Sequence, residues 1–284
     1  MKPRGPAYGL WFDALMALPL ALYGGLLLLL VGSLFLRITP ESLRIAFQDR
    51  ALLNAIWLSM WSTMLSTLLS VLVAVPAGYF LSRKHFRGYF LVDTIIDMPI
   101  VLPPLVLGLC VLIFFRTALG HYVDRQLIID LGHLFNTQLV EPGRGLFIFE
   151  RPGIILVQFV VGGAFAVRVI KAGFDEFEPR YEEIALTLGA TRTQALFLVV
   201  LPNVMPSLVA GAVISWARIF GLFGPIILVA GTMRNHTEIM PTTIFLETSI
   251  GRLDVALVIG AGMILISVVM LTIFKRLGGK GYLW

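Results

Sequence analysis

The sequence predicts an all-α polytopic membrane protein with about six transmembrane helices. Only 14% of its 284 residues are charged and 58% are hydrophobic, whereas soluble domains carry roughly 25% charged residues. Apolar runs long enough to cross a bilayer, which takes about 20 residues, recur along the chain. Because lipid offers no hydrogen-bond partner to an exposed backbone group, these runs are expected to be helices.

Shorter polar connections separate the apolar runs, and no linker or low-complexity tract divides the chain. We therefore predict a single transmembrane domain over residues 1–284. Two sizeable connections, residues 116–152 and 231–252, are expected to be loops on one side of the membrane. The approximate spans are residues 14–36, 56–81, 95–115, 154–170, 207–230 and 255–274.

Basic residues near the span ends indicate the orientation. Lys2 and Arg4 precede the first run, which is too long for the apolar part of a signal peptide and is expected to remain as a span. Arg83 opens a basic cluster after the second run, and a Lys-Arg pair follows the sixth. By the positive-inside rule these ends face the cytoplasm. Both termini and residues 175–206 are therefore predicted to be cytoplasmic.

The polar segment Tyr181–Pro206 lies between two apolar runs. Its apolar residues Tyr181, Ile184, Ala185 and Leu188 recur at the spacing of one helical face. This spacing predicts a short amphipathic helix that is followed by a turn and by re-entry into the membrane.

Acidic residues dominate the first half of this helix. Glu182 and Glu183 fall near its start, where the helix dipole favours negative charge, and Pro179 marks its onset. Gly189 is expected to break the helix or to allow close packing of a turn. Two interpretations remain open: a helix lying on the bilayer, or a docking surface for a cytoplasmic protein. Bilayer helices usually carry Lys or Arg on the polar face, which favours the docking surface.

The order Glu183-Ile-Ala185-x-x-x-Gly189, followed by Val199-x-Leu201-Pro202, resembles the EAA motif. That motif marks the permease subunits of binding-protein-dependent ABC importers of type I. The chain departs from the motif at its first Ala, which is Ile184 here, and at an Ile that is Val199. The resemblance implies that residues 175–206 form a coupling helix that inserts into a groove of an ATP-binding subunit. It implies a coupling role for Glu182, Glu183, Ala185, Gly189, Ala190, Leu201 and Pro202.

Three further stretches resemble the molybdate, tungstate and sulfate branch of these permeases. They are MPIVLPPLVLGL at 98–109, ARIFGLFGPIILVAG at 217–231 and EIMPTTIF at 238–245. The branch usually carries Glu where this chain has Leu222, and Ala where it has Pro225. Both positions are expected beside the pathway, so these two departures bear on which substrate is carried. The resemblance as a whole implies an oxyanion such as molybdate, tungstate or sulfate, with iron, thiamine and polyamines as alternatives.

The resemblance also implies the partners. Two copies of a separate ATP-binding subunit would hold ATP and Mg, and an extracytoplasmic solute-binding protein would deliver the substrate. The permease itself would be a homodimer in the cytoplasmic (inner) membrane of a prokaryote, surrounded by lipid. No cofactor and no nucleic acid is implied for this chain.

Several residues are candidates for the translocation pathway. Arg218, near the middle of the predicted fifth span, is expected either to line the pathway or to form an ion pair, for which Asp97 is a candidate. Pro103 and Pro104 interrupt the third span, and broken helices line substrate paths in transporters, although a packing kink is the alternative. Gly221, Gly224 and Pro225 make a similar break in the fifth span.

Other function classes are disfavoured by what the sequence lacks. No nucleotide-binding loop and no hydrolase signature is present, so the chain is not expected to be an enzyme. The four histidines show no metal-ligand spacing. A secondary transporter would need ion-coupling acids inside the spans, whereas Asp97 and Asp254 lie at span edges.

Overall fold

The computed structural model describes residues 10–126 and 145–277, and within these ranges the chain is helical and contains no strand. After the helix Pro104–Phe114, the chain forms a single α-helical turn at Ala118–His121 and a π-helical turn at Tyr122–Gln126. The helices are α1 Leu10–Phe35, α2 Pro40–Gln48, α3 Arg50–Arg83, α4 Tyr89–Val101, α5 Pro104–Phe114, α6 Arg151–Glu176, α7 Pro179–Thr187, α8 Arg192–Phe220, α9 Gly224–Ala230, α10 Met240–Ser249 and α11 Leu253–Leu277.

Five of these helices, α1, α3, α6, α8 and α11, are long and apolar enough to cross a membrane. The pair α4 and α5 is apolar enough to count as a sixth span, but it is bent by 114° at the break, a geometry of either a broken span or a re-entrant loop. The described chain therefore confirms the predicted class, an all-α membrane protein.

The third predicted span, residues 95–115, is not a continuous helix. Helix α4 ends at Val101 and α5 begins at Pro104 in a new direction. Neither Pro103 nor Pro104 has an amide hydrogen to donate, and Pro103 adopts an extended ψ of 131°. Two consecutive prolines thus separate the two helices rather than kinking one of them.

The fifth predicted span, residues 207–230, is displaced along the chain. Helix α8 begins fifteen residues earlier than predicted and ends at Phe220, and the remainder forms the separate short helix α9. The break falls at Gly221–Phe223, directly before the proline in the first turn of α9. Helix α8 also contains one π-helical turn, Leu196–Val200, which the sequence analysis did not predict.

The connection at residues 231–252, which the sequence predicts as a loop, contains helix α10. The side chains of Thr242, Thr243 and Glu247 on this helix are buried. Met240 donates its backbone N–H to the Ser59 hydroxyl at 2.7 Å, which attaches the start of α10 to α3. In the connection 116–152, residues 127–144 lie outside the described residues.

Helices α3, α6 and α8 pack together at the centre of the bundle. Gly162 permits this approach, because a Cβ at that position would lie 2.6 Å from Ser215 Oγ. The Ser215 hydroxyl donates to the Gly162 carbonyl at 3.0 Å, and Ser66 on α3 donates to Gln158 Oε1 at 3.0 Å. Small residues and internal hydrogen bonds thus join the three helices, as expected for helix contacts in a membrane.

Candidate functional site

Helix α7 ends in a geometry that requires the glycine of the EAA-like motif. Gly189 has φ of +90°, which is unfavourable for residues with a Cβ. Its N–H donates to the Leu186 carbonyl at 3.0 Å, and the next N–H, from Ala190, donates to the Ala185 carbonyl at 3.1 Å. These two bonds form a Schellman motif. A Cβ at Gly189 would have no atom within 4 Å, so the backbone turn, and not close packing, explains this glycine.

The chain reverses into α8 through a second defined cap. The Gln194 N–H donates to Thr191 Oγ1 at 3.2 Å, and Gln194 Oε1 accepts from the Thr191 N–H at 2.8 Å. These reciprocal bonds form a capping box, which defines where α8 begins. Helix α7 and the beginning of α8 are thus joined by a turn whose two ends are both capped.

Glu182 anchors α7 to the bundle. The Tyr79 hydroxyl donates to Glu182 Oε1, and Arg83 Nε lies 3.4 Å from Glu182 Oε2. The Glu182 and Arg83 side chains are only 13% and 12% exposed. Arg83 also donates to the carbonyls of Phe174 and Phe177, at 2.9 and 3.1 Å. The end of α3 therefore holds both the end of α6 and the body of α7.

Much of the surface of α7 is exposed. Glu183 is exposed, and so are three of the four apolar residues that the sequence places on one helical face, Tyr181, Ile184 and Leu188. The exposed fraction of Leu188 is 83%. The described residues thus leave these apolar side chains and Glu183 exposed for contact with another molecule.

The remaining residues of the motif follow the turn. Ala185 and Ala190 are half-buried, Leu201 packs against the cluster around Phe174 and Val200, and Pro202 is exposed. Leu201 and Pro202 directly follow the π-helical turn, with Pro202 in the first turn of regular α-helix.

Helices α5 and α9, which form after the two breaks, cross in direct contact. A Cβ at Gly108 would lie 2.5 Å from Pro225 Cα, and a Cβ at Gly224 would lie 3.1 Å from Leu105 Cδ1. Pro103 is exposed and Pro104 half-buried at the start of α5, while a Cβ at Gly221 would meet nothing within 4 Å. Of the predicted pathway residues, Gly224 and Pro225 therefore lie at this crossing, where they meet Leu105 and Gly108.

Leu222 and Pro225, the two departures from the related permeases, do not lie on an exposed path. Both are buried, and Leu222 belongs to the apolar cluster that includes Ile154 and Ile226. An ionised carboxylate at position 222 would be unfavourable in these surroundings.

Arg218 does not lie in the middle of its helix. It occupies the last turn of α8, two residues before the end, and its exposed guanidinium lies 5.5 Å from the centre of the Phe165 ring. The suggested ion pair with Asp97 is wrong. Asp97 lies 3.3 Å from Arg168 on α6, which also lies 3.5 Å from Asp93.

Sequence reasoning missed the residues that hold α7 to the bundle. In the sequence, Arg83 indicates only the orientation of the chain. Tyr79 lies within an apolar run and shows no local sign of a functional role. The spacing of these two residues, i and i+4 on α3, would place them on one helical face. Nothing local in the sequence indicates that this face meets α7.

Comparisons with known proteins identify the class of membrane protein. Residues 70–279 match the family described as "binding-protein-dependent transport system inner membrane component". The chain belongs to this family. It is thus a multi-pass membrane component of a transport system.

Three relatives illustrate the similarity. The chain is 35% identical over 156 residues to the molybdate/tungstate transport system permease protein WtpB of Pyrococcus abyssi, covering 55% of this chain and 52% of the relative. It is 34% identical over 169 residues to the sulfate transport system permease protein CysT of Escherichia coli, covering 60% and 56%. CysW of Escherichia coli is 28% identical over 242 residues, covering 84% and 77%. The chain thus spans little more than half the length of the first two relatives.

Solved structures share the fold. A bacterial alginate ABC transporter in complex with alginate pentasaccharide-bound periplasmic protein aligns with a TM-score of 0.71 and 20% identity, covering 95% of this chain and 96% of that chain. The MetNI methionine ABC transporter in an inward-facing conformation aligns with a TM-score of 0.57 and 15% identity, covering 85% and 98%. At these identities the likeness concerns the fold.

Proposed function

We propose that this chain is the permease subunit of an ABC importer and that α7 is its coupling helix. The observation that carries the proposal is that α7 is anchored by one residue and exposed elsewhere. Glu182 holds the helix to Tyr79 and Arg83, whereas Glu183 and the apolar residues Ile184 and Leu188 are exposed. A short helix that is anchored in this way and that exposes apolar side chains suits insertion into a groove of a partner protein.

The anchor gives this docking a mechanical consequence. A force applied to α7 reaches α3 through Arg83 and α6 through the Phe174 and Phe177 carbonyls, and it reaches α8 through the capped turn. Closure of a pair of ATP-binding subunits would move two such helices and shift the spans between inward- and outward-facing states. ATP and Mg belong to those subunits, so this chain is not itself an enzyme in the proposal.

The proposal also specifies how the chain is oriented in the membrane and what it assembles with. With α7 in the cytoplasm, the basic cluster at Arg83 and both termini are cytoplasmic, and an extracytoplasmic binding protein meets the other end of the bundle. Two copies of this chain form the pathway in the inner membrane of a prokaryote. Arg218, exposed beside the break at Gly221, and the crossing of Gly108 with Pro225 are the positions that we assign to the pathway and its gate.

An oxyanion such as molybdate, tungstate or sulfate is the proposed substrate. The permease relatives for these anions support it, as does the exposed Arg218 in a chain with few charges. Because structural relatives include transporters of alginate and methionine, an importer of another substrate is the second candidate. The paired state of Asp93 and Asp97 with Arg168 disfavours a secondary transporter that uses these acids to couple an ion.

Proteoliposomes that contain this chain, its ATP-binding partner and its binding protein provide the test. We expect ATP-dependent uptake of molybdate, tungstate or sulfate, and we expect Glu183→Lys to abolish substrate-stimulated ATP hydrolysis. Glu41→Lys, on an exposed residue of α2 at the other end of the bundle, is the matched control and should preserve coupling. Normal coupling in Glu183→Lys would refute the docking role. Uptake of thiamine, iron or a polyamine in place of the anions would refute the substrate assignment alone.

A further inference from the structure

The end of the bundle opposite α7 contains a pocket of about 360 Å³ that the coupling proposal does not use. It lies among the first turns of α3, the start of α6 and the segment that precedes α10. Two tryptophans, an arginine and a buried glutamate line it: Trp57, Trp61, Arg151 and Glu238.

Glu238 is the unusual member of this pocket. The residue is only 2% exposed, and neither of its carboxylate oxygens has a hydrogen-bond partner in the part of the chain that the structure describes. Burial raises the pKa of this carboxyl, and the nearby Glu247 and Asp49 raise it further, although Thr243 and Arg234 act in the opposite direction. This carboxylate forms no direct ion pair with any described residue, and a bound ligand can provide the opposite charge.

The two tryptophans supply a second element of cation recognition. Trp57 and Trp61 are one helical turn apart on α3, and their exposed fractions are 71% and 45%. Indole faces attract organic ammonium groups through cation–π contacts, and a carboxylate close by accepts the ammonium hydrogens. Glu238 and the two indoles therefore match an ammonium group.

The guanidinium of Arg151 adds a requirement for an anionic group on the ligand. Its Nε donates to the His236 carbonyl at 3.0 Å and its Nη2 to the Asn235 carbonyl at 3.3 Å, so the guanidinium is held at the pocket. A guanidinium has five donor hydrogens, and donors remain for an anionic group. A simple cation would be repelled by Arg151, whereas a ligand that carries an ammonium and a phosphate satisfies both charges.

An apolar stripe runs from the pocket along α3. Met64, Leu68 and Leu72 continue the face of Trp57 and Trp61 at helical spacing, with exposed fractions of 43%, 56% and 60%. From Trp57 to Leu72 this face extends over roughly 22 Å at 1.5 Å per residue. One leaflet of the hydrocarbon core is about 15 Å thick, so the stripe is long enough for an acyl chain.

We propose that the pocket binds the headgroup of an aminophospholipid of the phosphatidylethanolamine type. The ammonium contacts Glu238 and the indoles, the phosphate pairs with Arg151, and an acyl chain lies along Met64, Leu68 and Leu72. This site is separate from the coupling surface, because the two lie at opposite ends of α3.

Native mass spectrometry of the full chain, freed of lipid by detergent exchange, tests the proposal. The probes are dioleoyl phosphatidylethanolamine and dioleoyl phosphatidylglycerol, which share acyl chains and phosphate but differ in the ammonium group. We expect the ethanolamine lipid to bind about tenfold more tightly, the value of one charge-assisted hydrogen bond. Glu238→Gln and Trp57→Leu should each reduce this preference, while Glu176→Gln, on an exposed residue at the other end of the bundle, should keep it.

Four outcomes would overturn the proposal. Equal binding of the two lipids to the unmodified protein would mean that the tryptophans only mark the membrane interface. If both variants keep the preference for the ethanolamine lipid, the lipid site lies elsewhere. Because the Trp57 side chain is exposed, Trp57→Leu is expected to fold and gives this result even if Glu238→Gln does not fold. Equally tight binding of glycerophosphoethanolamine, which lacks acyl chains, would identify a soluble ligand. Disulfide cross-linking of Trp57→Cys to a second copy of the chain would identify a protein contact.

Discussion

Arg83 and Glu182 are separated by 99 residues in the sequence, yet they form an ion pair of 3.4 Å in which both side chains are nearly nine-tenths buried. Tyr79 donates a hydrogen bond to the same carboxylate. The side chain of the neighbouring acid, Glu183, is exposed. The two consecutive glutamates of α7 therefore have different roles: the first positions the helix and the second belongs to its exposed surface.

The different roles of these glutamates lead to a paired prediction about stability. We expect Glu182→Gln to lower the free energy of unfolding by about 1–3 kcal/mol, because Tyr79 and Arg83 lose their charged acceptor. Glu183→Gln should leave the stability unchanged. Thermal unfolding of both variants in the same detergent provides the measurement. Equal losses of stability in the two variants would contradict the assignment of Glu182 as the anchor.

A second prediction concerns the turn at Gly189. Gly189→Val places a β-branched side chain at φ of +90°, a left-handed conformation that costs roughly 1–2 kcal/mol per residue. The turn should shift, and coupling of ATP hydrolysis to substrate in the reconstituted transporter should fall about tenfold. Gly189→Asn is the matched control, because Asn tolerates positive φ better than other residues. If the two variants couple equally well, the backbone conformation is not what makes this glycine necessary.

The crossing of α5 and α9 supplies a third prediction. Gly108→Ala adds a Cβ that would lie 2.5 Å from Pro225 Cα, so the helices must separate, at a cost of about 1–3 kcal/mol. Gly221→Ala adds the same group where no atom lies within 4 Å, at a residue whose φ of −91° suits alanine. Denaturation should show a lower free energy of unfolding for Gly108→Ala and almost no change for Gly221→Ala. A stable Gly108→Ala variant would mean that this crossing is loosely packed.

A fourth prediction follows from the buried Glu238. Its pKa is raised in the folded protein above its ordinary value of 4.5, so the folded state binds the proton more tightly than the unfolded state does. This contribution to stability is therefore present at low pH and is lost as the pH rises through the raised pKa. Glu238→Gln cannot ionise, and we expect it to be more stable than the unmodified protein at pH 8 but not at pH 4.

Unfolding temperatures in detergent at the two pH values measure this difference. Glu41→Gln, which removes an exposed carboxylate, should show no such pH dependence. The same difference at both pH values would indicate that Glu238 stays in one protonation state throughout this range.

Local chemistry in the sequence was sufficient to predict the membrane class and the short helix α7 with its turn. Lipid exposure demands long apolar helices, and the described helices confirm this class of fold. Pro179, Gly189 and the spacing of the apolar residues predicted α7 and its turn, because caps and backbone conformation depend on residues a few positions apart. The resemblance to the EAA motif agrees with the family to which the chain belongs.

The tertiary structure decided the features that depend on residues distant in sequence. It determined that Glu182 and not Glu183 faces Arg83, that Asp97 pairs with Arg168 and not with Arg218, and that Leu222 is buried. It also separated the third span into two helices at 114°, although the prolines alone were compatible with a mild kink. The physical reason is the same in each case. A sequence pattern specifies which face of a helix is apolar or charged, but the partner of that face is set by how the helices pack.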